Sequence, residues 1–253
     1  MEISGALGLL VPLIGLVTGL LVGATGVGGA ALVTPALVLG LGVPVPVAVG
    51  STALFGAVVK LGGVGAHRTA LVEERRLLLG SLTGSLPGVA LGVFALRFLG
   101  DRGDVGLEPI LGVLLVVAAA ATLASTFRPP ASPLFFVPPS ALPFAAVPLG
   151  FAVGLTGIGA GSLFLPLLLA VARGRPFAGV VAADLAQGLV LATVAGALHL
   201  TVGRVDLTLV VALLLGGLPG VWLGARLHRV VAAEKLAGLA ASFVGVAGLR
   251  LIF

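Results

Sequence analysis

The sequence predicts an all-α polytopic membrane protein made of two homologous repeats, the second inverted relative to the first. Three observations carry this prediction. Hydrophobic residues make up 59% of the 253 and charged residues only 9%, against roughly 25% charged in a soluble domain. Apolar stretches of span length, about 20 residues, recur along the whole chain. A glycine-rich break and a second motif, LPGVxLG, each occur twice in the same order.

The composition excludes whole classes. So few charges cannot cover the surface of a soluble domain, so a cytosolic enzyme and a disordered chain are ruled out. A nucleic-acid binder is ruled out although the net charge is +5, because the basic residues are scattered rather than gathered on one stripe. Cysteine is absent, so neither disulfides nor thiolate metal sites can form. The three histidines are far apart in sequence and lack ligand spacing, so no metal and no cofactor is expected. The first ten residues carry no Lys or Arg, which argues against a cleavable leader.

Cutting the apolar stretches at charges, Pro and Gly gives the elements in order. The first set covers 3–22, 30–41, 46–66, 77–99 and 107–126. Six prolines fall between Arg128 and Phe144, which reads as a linker. The second set covers 141–155, 162–172, 177–200, 207–227 and 233–253. The division is therefore 1–127 for the N-terminal repeat, 128–140 for the linker and 141–253 for the C-terminal repeat. Each repeat has a Gly-broken helix or helical hairpin followed by three spans. GATGVGGAALVTP (23–35) aligns without gaps to GLTGIGAGSLFLP (154–166), with six of 13 positions identical. LPGVALG (86–92) matches LPGVWLG (218–224) at six of seven. Such matches, in order, are the mark of a duplicated transporter fold.

Basic residues in loops test the orientation. If each broken element crosses once, Lys and Arg divide six against seven and favour neither arrangement. If each forms two arms returning to one side, Arg68, Arg75, Arg76, Arg128, Arg173, Arg175, Arg226, Arg229 and Lys235 share a side. Arg97, Arg102, Arg204 and Arg250 take the other, nine against four. That asymmetry favours inverted repeats with both termini outside and the linker in the cytoplasm.

The breaks are the first candidate site. Gly23, Gly26, Gly28 and Gly29 interrupt one apolar stretch, and Gly154, Gly157, Gly159 and Gly161 another. Broken backbone at membrane depth is tolerated only where protein or a wet cavity surrounds it. A helix restarting near Ala30 or Ser162 would aim unpaired N–H groups at the break and so favour an anion. Thr25 and Thr156 stand at equivalent positions and would add hydroxyl donors. Gly88, Gly92, Gly220 and Gly224 read instead as close-packing glycines.

Ionisable and polar residues inside spans form the second candidate. Lys60 lies within 46–66, and Asp184 and Gln187 within the equivalent 177–200. Charge at such depth is a functional signal by default. Helical spacing puts Thr52, Gly56, Lys60, Gly63 and His67 on one stripe. Asp184, Gln187, Gly188, Ala192 and Ala195 share a face on the partner helix. Lys60 lies ~10 Å from the His67 end and Asp184 ~12 Å from Pro176, so inversion would bring them to one depth. Lys60 would neutralise an anion or hold Asp184 until substrate displaces it, and Asp184 would carry a coupling proton. A static ion pair is the competing reading. Ser51 and Thr52 form a hydroxyl pair expected to face the cavity. His67 and His199, at helix ends, suit interfacial positions, and 73–76 (EERR) suits a solvated loop. Trp222 is expected beside the second LPGV motif or at the membrane interface.

With these motifs in view the sequence resembles the TauE/SafE sulfite exporter family. The resemblance rests on the two glycine-rich breaks ending in proline, on PVPVAVGST (44–52), and on the paired LPGVxLG. It implies transport of a small anion, such as sulfite, a sulfonate or a carboxylate, across a plasma membrane, with or against protons. Carried over, the resemblance gives Gly23, Gly26, Gly28 and Gly29 as the first break, with Ser51 and Thr52 as the hydroxyl pair, and Gly154, Gly157, Gly159 and Gly161 as the second. Joined to the reading of the residues above, the substrate would meet Thr25, Gly26, Gly28, Gly29, Ser51, Thr52 and Lys60. In the second repeat it would meet Thr156, Gly157, Gly159, Gly161, Ser162 and Gln187, with Asp184 and Lys60 as the proton-coupling or ion pair. The hydroxyl pair is missing from the second repeat, where Ala182, Ala183 and Asp184 stand. The expected partners are therefore a small anion, protons and the lipid bilayer, with no nucleic acid. A passive anion pore is the alternative. An intramembrane enzyme using Ser162 and His199 lacks a nucleophile turn, and a mere scaffold gives no reason for the buried charges.

Overall fold

The computed structural model describes residues 5–25, 30–66, 74–100, 106–127, 137–157, 163–172, 174–227 and 233–253. Among the described residues there are ten α-helices and no strand. They are α1 (Gly5–Thr25), α2 (Ala30–Leu41), α3 (Val45–Ala66), α4 (Arg75–Gly100) and α5 (Leu107–Phe127). After a short 3₁₀ turn (Pro139–Ala141) come α6 (Leu142–Thr156), α7 (Phe164–Val171), α8 (Phe177–Thr201), α9 (Leu207–Leu227) and α10 (Ala233–Ile252). The ten apolar stretches read from the sequence correspond to these helices within a few residues.

Local chemistry sets the boundaries. Pro44 and Pro176 precede α3 and α8, and their carbonyls accept the first turn's N–H groups, from Ala48 at 2.9 Å and Gly179 at 3.0 Å. Asp206 Oδ1 accepts from Leu209 N at 3.1 Å at the start of α9, a side-chain N-cap. Pro12, Pro35, Pro87, Pro148 and Pro219 sit inside helices, as membrane helices tolerate. Among the described residues six helices are long and apolar enough to cross a membrane, all from α4 onward except α7. Their outward faces carry large apolar residues such as Phe98, Leu215 and Leu239, which suits contact with lipid.

Glycine seams join distant parts of the chain. A Cβ added at Gly15, Gly19 or Gly23 of α1 would strike the backbone oxygens of Leu213, Gly217 and Val221 on α9. Gly216, Gly220 and Gly224 meet Pro12, Leu16 and Leu20 in return. Both series rise together, so α1 and α9 run parallel. The same pattern joins α4 to α6, where Gly84, Gly88 and Gly92 meet Pro143, Val147 and Phe151. Small residues let two backbones approach to this distance, which is how helices associate without a hydrophobic driving force. Gly88, Gly92, Gly220 and Gly224 are thus packing glycines, as expected. Gly23 and Gly154 differ from expectation. Both lie inside helices and press on Val221 and Val89 across the seams, so neither belongs to a break.

The remaining long pairs run the other way. On α3, Gly50 abuts His199 while Leu54 abuts Gly196 of α8, so these helices are antiparallel. Gly112 and Ala119 of α5 meet Gly248 and Gly245 of α10, again antiparallel. Val137, ahead of α6, donates its N–H to Ala170 at the end of α7 at 3.4 Å. The α6–α7 pair therefore returns to the end from which it started.

Candidate functional site

The polar interior of the bundle is concentrated where α3 and α8 cross. Thr52, Gly56 and Lys60 are all buried on one stripe of α3, as helical spacing required. Asp184, Gln187, Gly188, Ala192 and Ala195 are all buried on α8. Lys60 and Asp184 lie close enough to interact as opposite charges. Antiparallel packing produces this, because each residue lies about two turns from the same end of the pair. Asp184 Oδ1 and Gln187 Nε2 have no hydrogen-bond partner, an expensive condition for buried polar atoms. The side-chain oxygen of Gln187 meets the hydroxyl of Ser81 on α4. Ser81 and its neighbour Ser85 are fully buried and were not singled out from sequence, where Ser in a span most often bonds its own helix. Gly56 is buried, yet among the described residues nothing lies within 4 Å of where its Cβ would stand, one turn from Lys60.

The second break comes within reach of the first repeat's α3. Gly157 ends α6 with φ +68° and donates its N–H to Val153 at 2.7 Å. Glycine takes this left-handed conformation without steric penalty. A Cβ there would stand 3.0 Å from Val49 O and 3.3 Å from Thr52 Oγ1. Thr52 also meets Thr34 of α2 at 2.9 Å and donates to Val49 O at 3.1 Å. Gly26, Gly28, Gly29, Gly159, Gly161 and Ser162 lie outside the described residues, as do Gly63 and His67 in their side-chain environment. Thr25 is the last residue of α1.

Several expectations are corrected here. Ser51 and Thr52 do not act as a pair. Ser51 Oγ accepts the backbone N–H of Asp206 at 3.0 Å and so ties α3 to the start of α9. Consecutive helical residues point about 100° apart, so only Thr52 faces the break. The Thr156 hydroxyl donates back to Ala152 O at 2.6 Å. Glu74 is not part of a solvated loop. It is 3% exposed, forms an ion pair with Arg175 ahead of α8, and fills the space left by the missing side chain of Gly179. His199 faces neither lipid nor water. It is fully buried, with Nε2 3.1 Å from Gly154 O. Position at a helix end says nothing about depth once a neighbouring helix overlaps that end. Trp222 is exposed and carries Arg226 stacked 3.4 Å from its ring centre, which suits an interfacial anchor.

A cavity of about 430 Å³ lies elsewhere, between α1, α2 and α10. Its wall is apolar apart from Thr18, with Leu13, Val17 and Phe243 at its lipid-facing rim. An anion would lose its hydration there with nothing in exchange.

The family description "Sulfite exporter TauE/SafE" matches residues 11–251. The chain is similar to the "Probable membrane transporter protein YjnA" of Bacillus subtilis (strain 168), 34% identical over 250 residues. That similarity covers 95% of this chain and 98% of the relative. No solved structure matches. With its spans and its buried polar crossing, the chain is a multi-pass membrane transporter of the plasma membrane and belongs to the sulfite exporter TauE/SafE family.

Proposed function

We propose that the protein is a secondary transporter of a small anion, a sulfite, sulfonate or related carboxylate, bound between the α3–α8 crossing and the glycine breaks. The observation that carries this reading is the buried Lys60–Asp184 pair beside the Asp184 and Gln187 atoms that have no partner among the described residues, and beside Gly56, whose missing side chain no described atom replaces. Charges are kept at such depth for a cargo or a proton. Lys60 attracts the anion, the Gln187 amide and Thr52 orient it, and Asp184 takes the proton that keeps the loaded site neutral. The repeats 1–127 and 141–253, joined by 128–140, are inverted. The antiparallel α3–α8 and α5–α10 pairs support this, since an axis in the membrane plane reverses equivalent helices. The returning α6–α7 pair supports the hairpin in each repeat.

Purified protein screened by thermal shift against sulfite, sulfate, sulfoacetate and acetate should melt higher with one of them. In proteoliposomes Lys60→Ala and Asp184→Asn should each lower its uptake at least about tenfold. Near-normal uptake by both folded variants would leave the pair a structural role only. Uptake that never exceeds equilibrium with an imposed proton gradient would favour the passive pore. Labelling of Ser4→Cys and Ser132→Cys from the same face would overturn the inverted arrangement.

A further inference from the structure

His199 stands apart from the site just described. Fifteen residues separate it from Asp184 on α8, so it lies ~22 Å away along the axis, near the opposite end of the helix. It is fully buried, packed on Gly50 of α3, with Nε2 on the carbonyl of Gly154. A carbonyl only accepts, so Nε2 carries the hydrogen and donates it. Nδ1 is then the bare nitrogen, and it has no partner. The bonded carbonyl lies three residues before Gly157, where α6 ends beside Thr52.

We propose that His199 is a second proton-binding residue of the transport path, which takes up a proton as the anion arrives at the α6 break. The step is a simple protonation. A hydronium ion gives its proton to the Nδ1 lone pair and leaves as water, and the Nε2–H bond to Gly154 is untouched. The imidazolium forms at the C-terminal end of α6, where the helix carbonyls favour positive charge. The charged group facing the ring is Arg204 of the α8–α9 turn. Asp206 follows in that turn with Oδ1 engaged by Leu209 N. The segments of α6 and α3 against the ring (153–156 and 49–54) carry no titratable side chain. Protonation of His199 adds a second positive charge within the electrostatic reach of Arg204, an arrangement that an arriving anion stabilises. Proton and anion then favour each other's binding reciprocally. This rests on the anion-transport reading above, but its first test does not.

That test is ¹⁵N NMR of histidine-labelled protein in lipid bilayers, with His199→Gln assigning the signal among the three histidines. Glutamine keeps an N–H near Gly154 and cannot titrate. At about pH 8 the His199 ring should show one bare nitrogen, and at about pH 5 with methanesulfonate, a non-titrating anion, both should be protonated. His199 should contribute about tenfold to the tightening of methanesulfonate binding between the higher and the lower pH, so the pH dependence should be about tenfold smaller in His199→Gln than in the wild type, with what is left belonging to Asp184. A ring with one proton under every condition overturns the proposal, even where the anion binds. So does a wild-type pH dependence in the folded His199→Gln protein, which would make the residue a strap between α8 and α6. If no anion binds, the transport reading falls, and the ring's titration still reports on His199.

Discussion

The two glycine seams and the α3–α8 crossing use the same small residues to opposite effect. Along α1–α9 and α4–α6, glycines stand where even one carbon would strike a facing backbone. At the crossing, no atom of the described residues lies within 4 Å of where a Cβ of Gly56 would stand, and the neighbouring stripe carries Thr52 and Lys60. Gly50 and Gly196, nearer the other end of the α3–α8 pair, close a gap as the seam glycines do, while Gly56 does not. The seams hold no charged group, and the crossing holds an opposed Lys and Asp. The bundle is thus held by tight backbone contact at its flanks while its polar centre retains room and unpartnered atoms. A part meant to bind and release cargo would need that contrast.

The largest expected effect breaks a seam. Gly220→Leu drives a side chain into α1, where the Cβ alone would sit 2.4 Å from Leu16 O. A loss of about 3 kcal/mol or more is expected, seen as aggregation in size exclusion and a large fall in melting temperature. A near-normal melting temperature would mean that the seams are not what holds the fold. Next comes the charge pair. Lys60→Met or Asp184→Leu alone strands a buried charge and should destabilise by about 3–5 kcal/mol. The double variant should recover most of that stability and yet transport nothing. Recovered stability together with recovered transport would make the crossing another structural contact, and the contrast with the seams would vanish. Smallest is Gly56→Ala. With nothing within 4 Å, alanine should raise stability by up to about 1 kcal/mol through helix propensity alone, with transport changed only as far as the anion needs that space. A loss of stability would show that the space is filled.

Much of this was legible in the residues. Lys60 on α3 and Asp184 on α8 stood out because a charge within an apolar span has few explanations, and their equal distances from helix ends anticipated their meeting. The duplicated motifs anticipated ten helices in two sets of five. Other parts were not legible. Ser51 and Thr52 are adjacent letters, but one binds the backbone of Asp206 ahead of α9 while the other meets α2 and Gly157 at the end of α6, and only the neighbours' positions separate them. Glu74 sits in a run of charges that reads as solvent-facing, and Arg175 of a distant loop makes it buried. His199 looked terminal because α6, which covers it, lies 45 residues away in sequence.

The sequence by itself determined the class of the protein, the location of its helices and the identity of its two deeply buried charges. These follow from hydropathy, helical period and the cost of ionised groups in hydrocarbon, which are properties of local sequence. Only the tertiary structure decided which glycines pack and which leave room, which hydroxyls are already engaged, and which polar atoms are left without partners. Those properties depend on what lies across the interface, and helices distant in the chain meet there in directions that no local pattern encodes.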